Sequence, residues 1–325
     1  MTTLITGAGV IGSLTAELLA ARGEKVVLSD IVRSDTTHDD AGGIIFQEAD
    51  VTDARRLDSL IAEYSVTRIV HTAAMLSTGI RRAPVRGVDV NAVGTATILE
   101  TARKHGIRRV VCASSTTVGY TAFAGHDASP IEEDLPLHLV SERPASIYAA
   151  TKLFGEHLTL LYRALYGVDA VALRFAAVLG GRADPPTSVP GQLLARLAEG
   201  GRKGIPVILD DPFLLWAGAE EFVDARDCAR AAVAALDATD ITQGIYNVAP
   251  GSMVTLDQFV EATRAVYPDL EVSVPEPVST GFAGFPHLRP APSSTAAAER
   301  DLGFTCTYDL ADTIRYWTAD PALPG

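Results

Sequence analysis

Short apolar runs alternate with amphipathic stretches through the first half of the chain, in the order strand, helix, strand. Thr2 to Thr6, Lys25 to Ser29, Ile44 to Glu48, Thr67 to His71, Arg108 to Ala113 and Val168 to Arg174 are brief and mostly apolar. Runs of that length without alternation read as strands buried on both faces. Between them, Ser13 to Arg22, Ala54 to Tyr64, Val85 to His105 and the stretch from Ser146 to Tyr166 carry apolar residues at helical spacing. Strands alternating with helices predict an α/β fold, a doubly wound parallel sheet of the Rossmann kind.

After Arg174 the pattern changes. Gly180 to Pro190 is a turn region and Gln192 to Ala198 a short helix; Pro206 to Leu209 and Leu214 to Ala217 are strand-like. Phe222 lies in a strand that leads into a helix up to Ala238, and Gly244 to Val248 is an apolar strand expected to return to the main sheet. A helix from Thr255 to Val266, a strand near Glu271 to Val274, a Pro/Gly/Phe-rich loop through Pro292 and helices at Ala296 to Leu302 and Leu310 to Trp317 complete the chain. The expected division is a nucleotide-binding domain over 1–175, with 222–250 returning to it, and a smaller, partly discontinuous substrate-binding domain from 176–221 and 251–325.

Composition narrows the partners. A formal charge of -13 on 325 residues argues against nucleic acid and anionic membrane, which basic surfaces bind. Cys112, Cys228 and Cys306 have no metal-site spacing, and an odd count without a signal peptide suits a reducing cytoplasm. No apolar run is long enough to span a bilayer. The expectation is a cytoplasmic protein with no metal and a small-molecule substrate.

Candidate chemistry begins directly after the first strand. Gly7-Ala8-Gly9-Val10-Ile11-Gly12 opens a helix, so Gly7 makes the tight turn, Gly9 admits a pyrophosphate, and Gly12 lets helix and strand pack closely. Asp30 ends the second strand, where an acid accepts from the adenosine ribose hydroxyls and repels a 2'-phosphate, selecting NAD over NADP. Arg33 stands close enough to oppose that selection. Asp50 ends the third strand, placed for an adenine amino group or for capping the next helix, for which Asp53 is the better residue. Ala73 and Ala74 give a small-residue surface against which a flat cofactor can lie. His71, on a buried strand, reads as a core residue. Asn91 and Gly94 interrupt a long helix that their propensities do not favour, so Asn91 reads as holding a kink or a water chain.

The fifth strand delivers Ser115 to the carboxyl edge of the sheet, where ligands of such folds bind. The segment from Gly119 to Pro144 is a loop long enough to form part of a pocket or lid. In Ser146-Ile147-Tyr148-Ala149-Ala150-Thr151-Lys152, Tyr148 and Lys152 share one helix face. A cation beside a phenol favours phenolate and brings the tyrosine toward working pH as a general acid or base.

Taken in order, these motifs resemble the extended short-chain dehydrogenase/reductase family, the NAD-dependent epimerase/dehydratase group. The resemblance runs over nearly the whole chain. It rests on Gly7, Gly9 and Gly12, Asp30, Asp50 with Val51, Ala73 with Ala74, Asn91, Ser115, Tyr148 with Lys152, Leu173-Arg174-Phe175, and Ile245-Tyr246-Asn247-Val248. It implies an NAD site formed by Gly7, Gly9, Val10, Ile11, Gly12, Asp30, Asp50, Val51, Ala73, Ala74, Asn91, Tyr148, Lys152 and Phe175. It further implies that Ser115, Tyr148 and Lys152 are catalytic: Tyr148 takes the substrate hydroxyl proton as hydride leaves, Ser115 holds the same oxygen, and Lys152 also holds the nicotinamide ribose. Subunit pairing through helices 85–105 and 147–166 implies a homodimer.

Departures from the family pattern bear on the substrate. The glycine turn is one residue tighter than usual. Thr116 and Thr117 stand where the 4,6-dehydratases carry Asp-Glu, and Val118-Gly119-Tyr120 replaces Val-Tyr-Gly. Ala177 stands in place of an asparagine near the sugar, and Glu220 in place of an arginine on the diphosphate. A glutamate facing a diphosphate repels it. The expected function is therefore an NAD-dependent dehydrogenase, or reductase in reverse, acting on a secondary alcohol of a small polar or sugar-derived substrate. The alternative is an NAD-dependent sugar epimerase with transient oxidation, and a non-catalytic NAD sensor ranks last. Arg81, Arg82, Arg143 and Arg182 could bind a carboxylate, although each such residue is more often a solvated surface charge.

Overall fold

All strands of the main sheet run parallel, so each connection must cross over and the two faces are covered by helices. The computed structural model describes residues 1–33, 43–138, 140–144, 146–181, 186–276 and 278–319. In chain order, β1 (Thr2–Thr6) leads through α1 (Val10–Ala21) to β2 (Lys25–Asp30) and β3 (Ile44–Glu48). Then follow α2 (Ala54–Tyr64), β4 (Arg68–His71), α3 (Ser77–Arg82), α4 (Pro84–Val88), a π-helical turn at Asp89–Val93, α5 (Gly94–His105) and β5 (Arg109–Ser115). A 3-10 turn at Thr116–Ala122 precedes α6 (Ile147–Tyr166), β6 (Ala170–Phe175) and β7 (Ala177–Leu179). The remainder comprises α7 (Val189–Lys203), β8 (Val207–Ile208), β9 (Phe222–Asp224), α8 (Ala225–Asp237), β10 (Ile245–Val248), α9 (Leu256–Arg264), β11 (Val272–Ser273), α10 (Ala296–Leu302) and α11 (Leu310–Thr318).

The sheet order is β10-β6-β5-β4-β1-β2-β3. The chain turns from one side of the sheet to the other between β1 and β4, and the crevice at such a switch point is where these folds place ligands. The predicted return of the late strand is observed, since Ile245 to Val248 pair with Ala172 to Phe175. Central strands are apolar throughout because both faces are covered: Leu4, Ile5, Val26, Val27, Leu28, Ile69 and Leu173 have no solvent exposure. Burying each such side chain stabilises by about 1.5–3 kcal/mol.

Helix boundaries follow local signals. Asp53 accepts from the Arg55 and Arg56 N–H groups at the start of α2, which is the cap assigned to it from sequence. Ser146 accepts from Ala149 N–H at the start of α6, and Gly167, at φ +67°, ends that helix. The stretch from 84 to 105 is helical throughout, with a π turn at Asn91; such turns are single-turn bulges that often mark functional sites. Gly94 is small because a Cβ there would stand 2.7 Å from Val51 Cγ2.

Beyond β6, β7 pairs with β9 and β8 with β11. Trp216, Phe222, Phe259 and Phe282 form the second core, with edge-on contacts such as Phe222 to Phe282 at 5.5 Å between centroids. Leu214 to Ala217 is not a strand. Pro212 to Leu214 forms a 3-10 turn, and Trp216 is fixed instead by its Nε1–H donating to Val254 O. The short α3 and β7 were not visible in the residue pattern. Residues of α10, Ala297, Ala298 and Leu302, pack on the main-sheet core together with Phe304. Among the described residues, no helix is long and apolar enough to cross a membrane and no cluster of metal-ligating side chains occurs.

Candidate functional site

The glycine turn lies at the switch point, between β1 and α1. Gly7 adopts φ +97°, and a Cβ on it would come 2.5 Å from Ala73 N, so only glycine fits. A Cβ on Gly12 would collide with Gly7 O, whereas one on Gly9 would meet nothing within 4 Å. The turn is thus tight where it touches protein and open at Gly9, the N-cap of α1, where no side chain caps the helix. Free N–H groups and the positive end of a helix dipole together favour an anion there. Asp30 is tied to the same turn: its carboxylate accepts from Ala8 N–H at 2.7 Å and from Ile31 N–H at 2.7 Å. The open glycine, the uncapped helix start and the acid at the end of β2 fit the diphosphate and adenosine ribose of a dinucleotide.

Asp50 makes a tight turn, accepting from Thr52 N–H at 2.9 Å and Thr52 Oγ1 at 2.7 Å, and pairs with Arg86. Partial burial works to raise its carboxyl, but these partners hold it below the usual range. Val51 is buried against Gly94. Ala73 and Ala74 follow β4, with Ala73 N–H donating to Thr6 O at 2.8 Å. Asn91 clamps the next residue: its Oδ1 accepts from Met75 N–H at 2.8 Å and its Nδ2 donates to Met75 O at 3.0 Å. The same amide donates to Thr151 Oγ1 on α6 at 3.2 Å, so Asn91 joins the loop after β4 to the helix that carries Tyr148. Asn91 therefore acts through the segment it holds.

Ser115, at the end of β5, is level with Phe175 on β6. Its Oγ accepts from Thr117 N–H at 3.3 Å. Lys152 Nζ donates to Ala113 O at 2.8 Å and stands 5.7 Å from the Tyr148 ring centroid. Helix α6 thereby sets Lys152, and Tyr148 beside it, against the carboxyl end of β5 that carries Ser115. Burial pushes the Tyr148 phenol up to about 12, with the Ser115 hydrogen bond acting against it. Burial also lowers the Lys152 ammonium to about 8, opposed by Cys112 and Glu156. The sequence-based expectation that Lys152 draws the phenol down toward neutrality is thus not met, because desolvation dominates.

Two buried charge networks were not read from the sequence. Glu156, one turn beyond Lys152 on the same face, accepts from Ser114 Oγ at 2.5 Å and from Arg174 at 2.8 Å on both oxygens. Arg174 also donates to Glu133 O at 2.7 Å. The spacing of Tyr148, Lys152 and Glu156 was the available signal. The second network contains Glu220. Its carboxylate accepts from Tyr120 Oη at 2.5 Å and from Arg289 at 3.2 Å, while Glu221 accepts from Arg289 at 2.6 Å and Ser293 at 2.7 Å. Glu220 therefore faces a guanidinium inside the protein, which overturns the expectation that it meets a diphosphate as a bare negative charge. Tyr120 is likewise committed to this cluster.

His71 is buried, bonded to Thr6 Oγ1 at 2.7 Å and Thr95 Oγ1 at 3.1 Å, as its core reading requires. Of the candidate anchors, Arg81 stacks over the Phe213 ring at 3.9 Å, Arg82 and Arg143 are exposed, and Arg182 lies outside the described residues. The segment from Gly119 to Pro144 is pinned rather than free at Ile131, which pairs with Ser293 and exchanges backbone hydrogen bonds with Pro292 and Ser294.

Residues 3–249 match the model of the NAD dependent epimerase/dehydratase family. The chain is 39% identical over 194 residues to the UDP-glucose 4-epimerase of Mycolicibacterium smegmatis, covering 57% of this chain and 58% of that one. The chain thus spans little more than half the length of that relative. A solved UDP-glucose 4-epimerase from Thermus thermophilus in complex with NAD superimposes with a TM-score of 0.78 at 29% identity, over 98% of each chain. The holo form of an L-threonine dehydrogenase from Cupriavidus necator shares the fold, with a TM-score of 0.78 at 23% identity over 98% of this chain and 100% of that one.

Proposed function

This chain belongs to the NAD dependent epimerase/dehydratase family, and we propose that it oxidises a secondary alcohol at Ser115, Tyr148 and Lys152 as the first half of an epimerisation. The family is NAD-dependent, and NAD is the cofactor. The observation that carries the reading is Lys152, fixed by its Nζ to Ala113 O two residues before Ser115 on β5 and 5.7 Å from the ring of Tyr148 on the same helix.

Gly7, Gly9, Val10, Ile11 and Gly12 would hold the diphosphate and Asp30 the adenosine ribose; Asp50, Val51, Ala73, Ala74 and Phe175 would line the rest of the cofactor site. When bound, NAD supplies a hydride acceptor that carries positive charge. Ser115 Oγ donates to the substrate oxygen and fixes it against Tyr148. Tyr148 Oη removes the hydroxyl proton and gives it back when the carbonyl is reduced. Lys152, its ammonium lowered by burial to about 8, would hold the nicotinamide ribose. Thr116 and Thr117 offer no carboxyl pair for water elimination.

The family relatives favour the epimerase outcome, in which no net reduced cofactor forms. Net dehydrogenation of a small polar or sugar-derived alcohol is the second reading, favoured by Ala177 and by the closure of Arg289 onto Glu220 and Glu221, which removes a cation from the service of a diphosphate. Incubation with UDP-glucose and NAD, with absorbance at 340 nm read beside product analysis, separates them. Galactosyl product without a 340 nm rise supports epimerisation. A rise with free sugars, sugar acids or hydroxy acids supports the dehydrogenase. Neither signal with any of them contradicts the proposal.

A homodimer in the cytoplasm is part of the proposal. Val93 on the π turn and Phe154, Leu161 and Leu165 on α6 are exposed, an apolar surface that a second copy would cover.

A further inference from the structure

Helix α6 is fastened to β5 by two side chains one turn apart. Lys152 Nζ donates to Ala113 O at 2.8 Å, and Glu156, four residues on along the same face, accepts from Ser114 Oγ at 2.5 Å. The two contacts fall on consecutive residues of the strand, directly before Ser115. Glu156 is 2% exposed, and Arg174 on β6 donates to both of its oxygens at 2.8 Å. A buried ion pair contributes little stability beyond what apolar side chains of the same volume would, so stability alone does not account for this one.

The groups that face Lys152 show what the acid is for. Burial lowers the lysine's ammonium to about 8, and only an anion nearby can oppose that. Cys112 on β5 would do so only as thiolate, yet burial pushes its thiol up to about 11. Tyr148 on α6, whose ring centroid lies 5.7 Å from Nζ, is pushed by burial up to about 12. Burial, helped by the charge of Lys152 itself, lowers His71 on β4 to about 3. All three are therefore neutral where Lys152 titrates. Arg174 on β6 is a second cation, closed onto Glu156. Among the described residues, Glu156 is thus the anion that supports the ammonium at the pH where the lysine changes charge.

We propose that Glu156 is a positioning residue for the reaction, its carboxylate setting α6 against β5 and serving as the counter-charge of Lys152. The inference rests on the reading that places Lys152 in the site with Ser115 and Tyr148, and it deepens that reading. Glu156 touches no reacting atom. It acts through the lysine, which without it would give up its proton at a lower pH and no longer stand as a cation beside the phenol. Arg174 and Ser114 keep the carboxylate in place, so the counter-charge is fixed to the two strands that flank the helix.

Lys25, Lys104, Lys152 and Lys203 are the lysines of the chain, so Lys152 can be titrated by NMR in the whole protein carrying carbon-13 at the lysine ε-position, through the signal that Lys152→Arg lacks. Glu156→Gln keeps the shape and deletes the charge. Its Lys152 midpoint is expected to lie below wild type by about one pH unit or more. A role confined to packing gives the opposite sign, because a loosened helix admits water and lets the lysine rise toward its ordinary value of about 10.4. Should Glu156→Gln fail to fold with Arg174 left unpaired, Glu156→Gln/Arg174→Gln deletes both charges and is still expected to titrate below wild type, since it is Glu156 that supports the ammonium. With NAD and the faster of the probes UDP-glucose and L-threonine, the alkaline limb of kcat/KM should move to lower pH together with the midpoint. A midpoint unchanged or raised, or a limb that stays in place while the midpoint falls, overturns the proposal. The titration needs no turnover, so the counter-charge is decided even if neither probe is converted, an outcome that counts against the proposed reaction instead.

Discussion

Glu220 and Arg289 meet inside the protein at 3.2 Å, although 69 residues separate them in the chain. The contact closes a bridge from Tyr120, on the turn beyond Ser115, to the segment that carries Arg289 and Ser293. One guanidinium serves two carboxylates, and both partners of the ion pair are almost free of solvent, with side chains 1% and 3% exposed. Burial favours the neutral form of Glu221, whose carboxyl is raised against the pull of Arg289.

Removing the cation should therefore be costly. Arg289→Met leaves Glu220 and Glu221 buried with no positive partner, and breaking a buried pair in this way costs about 3–5 kcal/mol. The urea midpoint should drop accordingly. A loss below about 1 kcal/mol would show that the cluster is open to water.

Asp30 is the proposed ribose ligand and cofactor selector. Asp30→Ala removes the acceptor of Ala8 N–H as well as the proposed ribose ligand, and hydrogen bonds to a charged group contribute about 1.5–3 kcal/mol. NAD affinity, read by fluorescence titration, should fall by at least about tenfold, and the preference for NAD over NADP should narrow. An unchanged preference would mean that selection lies elsewhere.

His71 predicts acid sensitivity. Burial, helped by the charge of Lys152, lowers its imidazole to about 3, whereas in the unfolded chain it titrates near 6.5. Between those values the unfolded chain binds a proton that the native one refuses, so stability falls as pH drops through that window. His71→Gln should flatten this part of the profile. Urea midpoints of the two proteins at pH 4.5 and pH 7 test it, and parallel profiles would contradict the assignment.

The sheet, the glycine turn and the shared helix face of Tyr148 and Lys152 were legible because each depends on local spacing: apolar runs for strands, three glycines for a turn, four residues for one helix face. Asp53 could be recognised as a cap for the same reason. What escaped is non-local. Glu220 looked like a charge facing ligand because nothing in its neighbourhood of the chain announces Arg289, and the grip of Asn91 on Met75 depends on how two loops are brought together. The raised phenol of Tyr148 escaped because the i, i+4 spacing shows a cation nearby but not the desolvation that outweighs it.

In the proposed reaction Tyr148 is the group that moves the proton. The most direct measurement is turnover by Tyr148→Phe, with NAD bound, on the substrate that wild type converts. The expected result is a fall of about a hundred- to ten-thousandfold with NAD affinity nearly unchanged. A variant that turns over at the wild-type rate would contradict it.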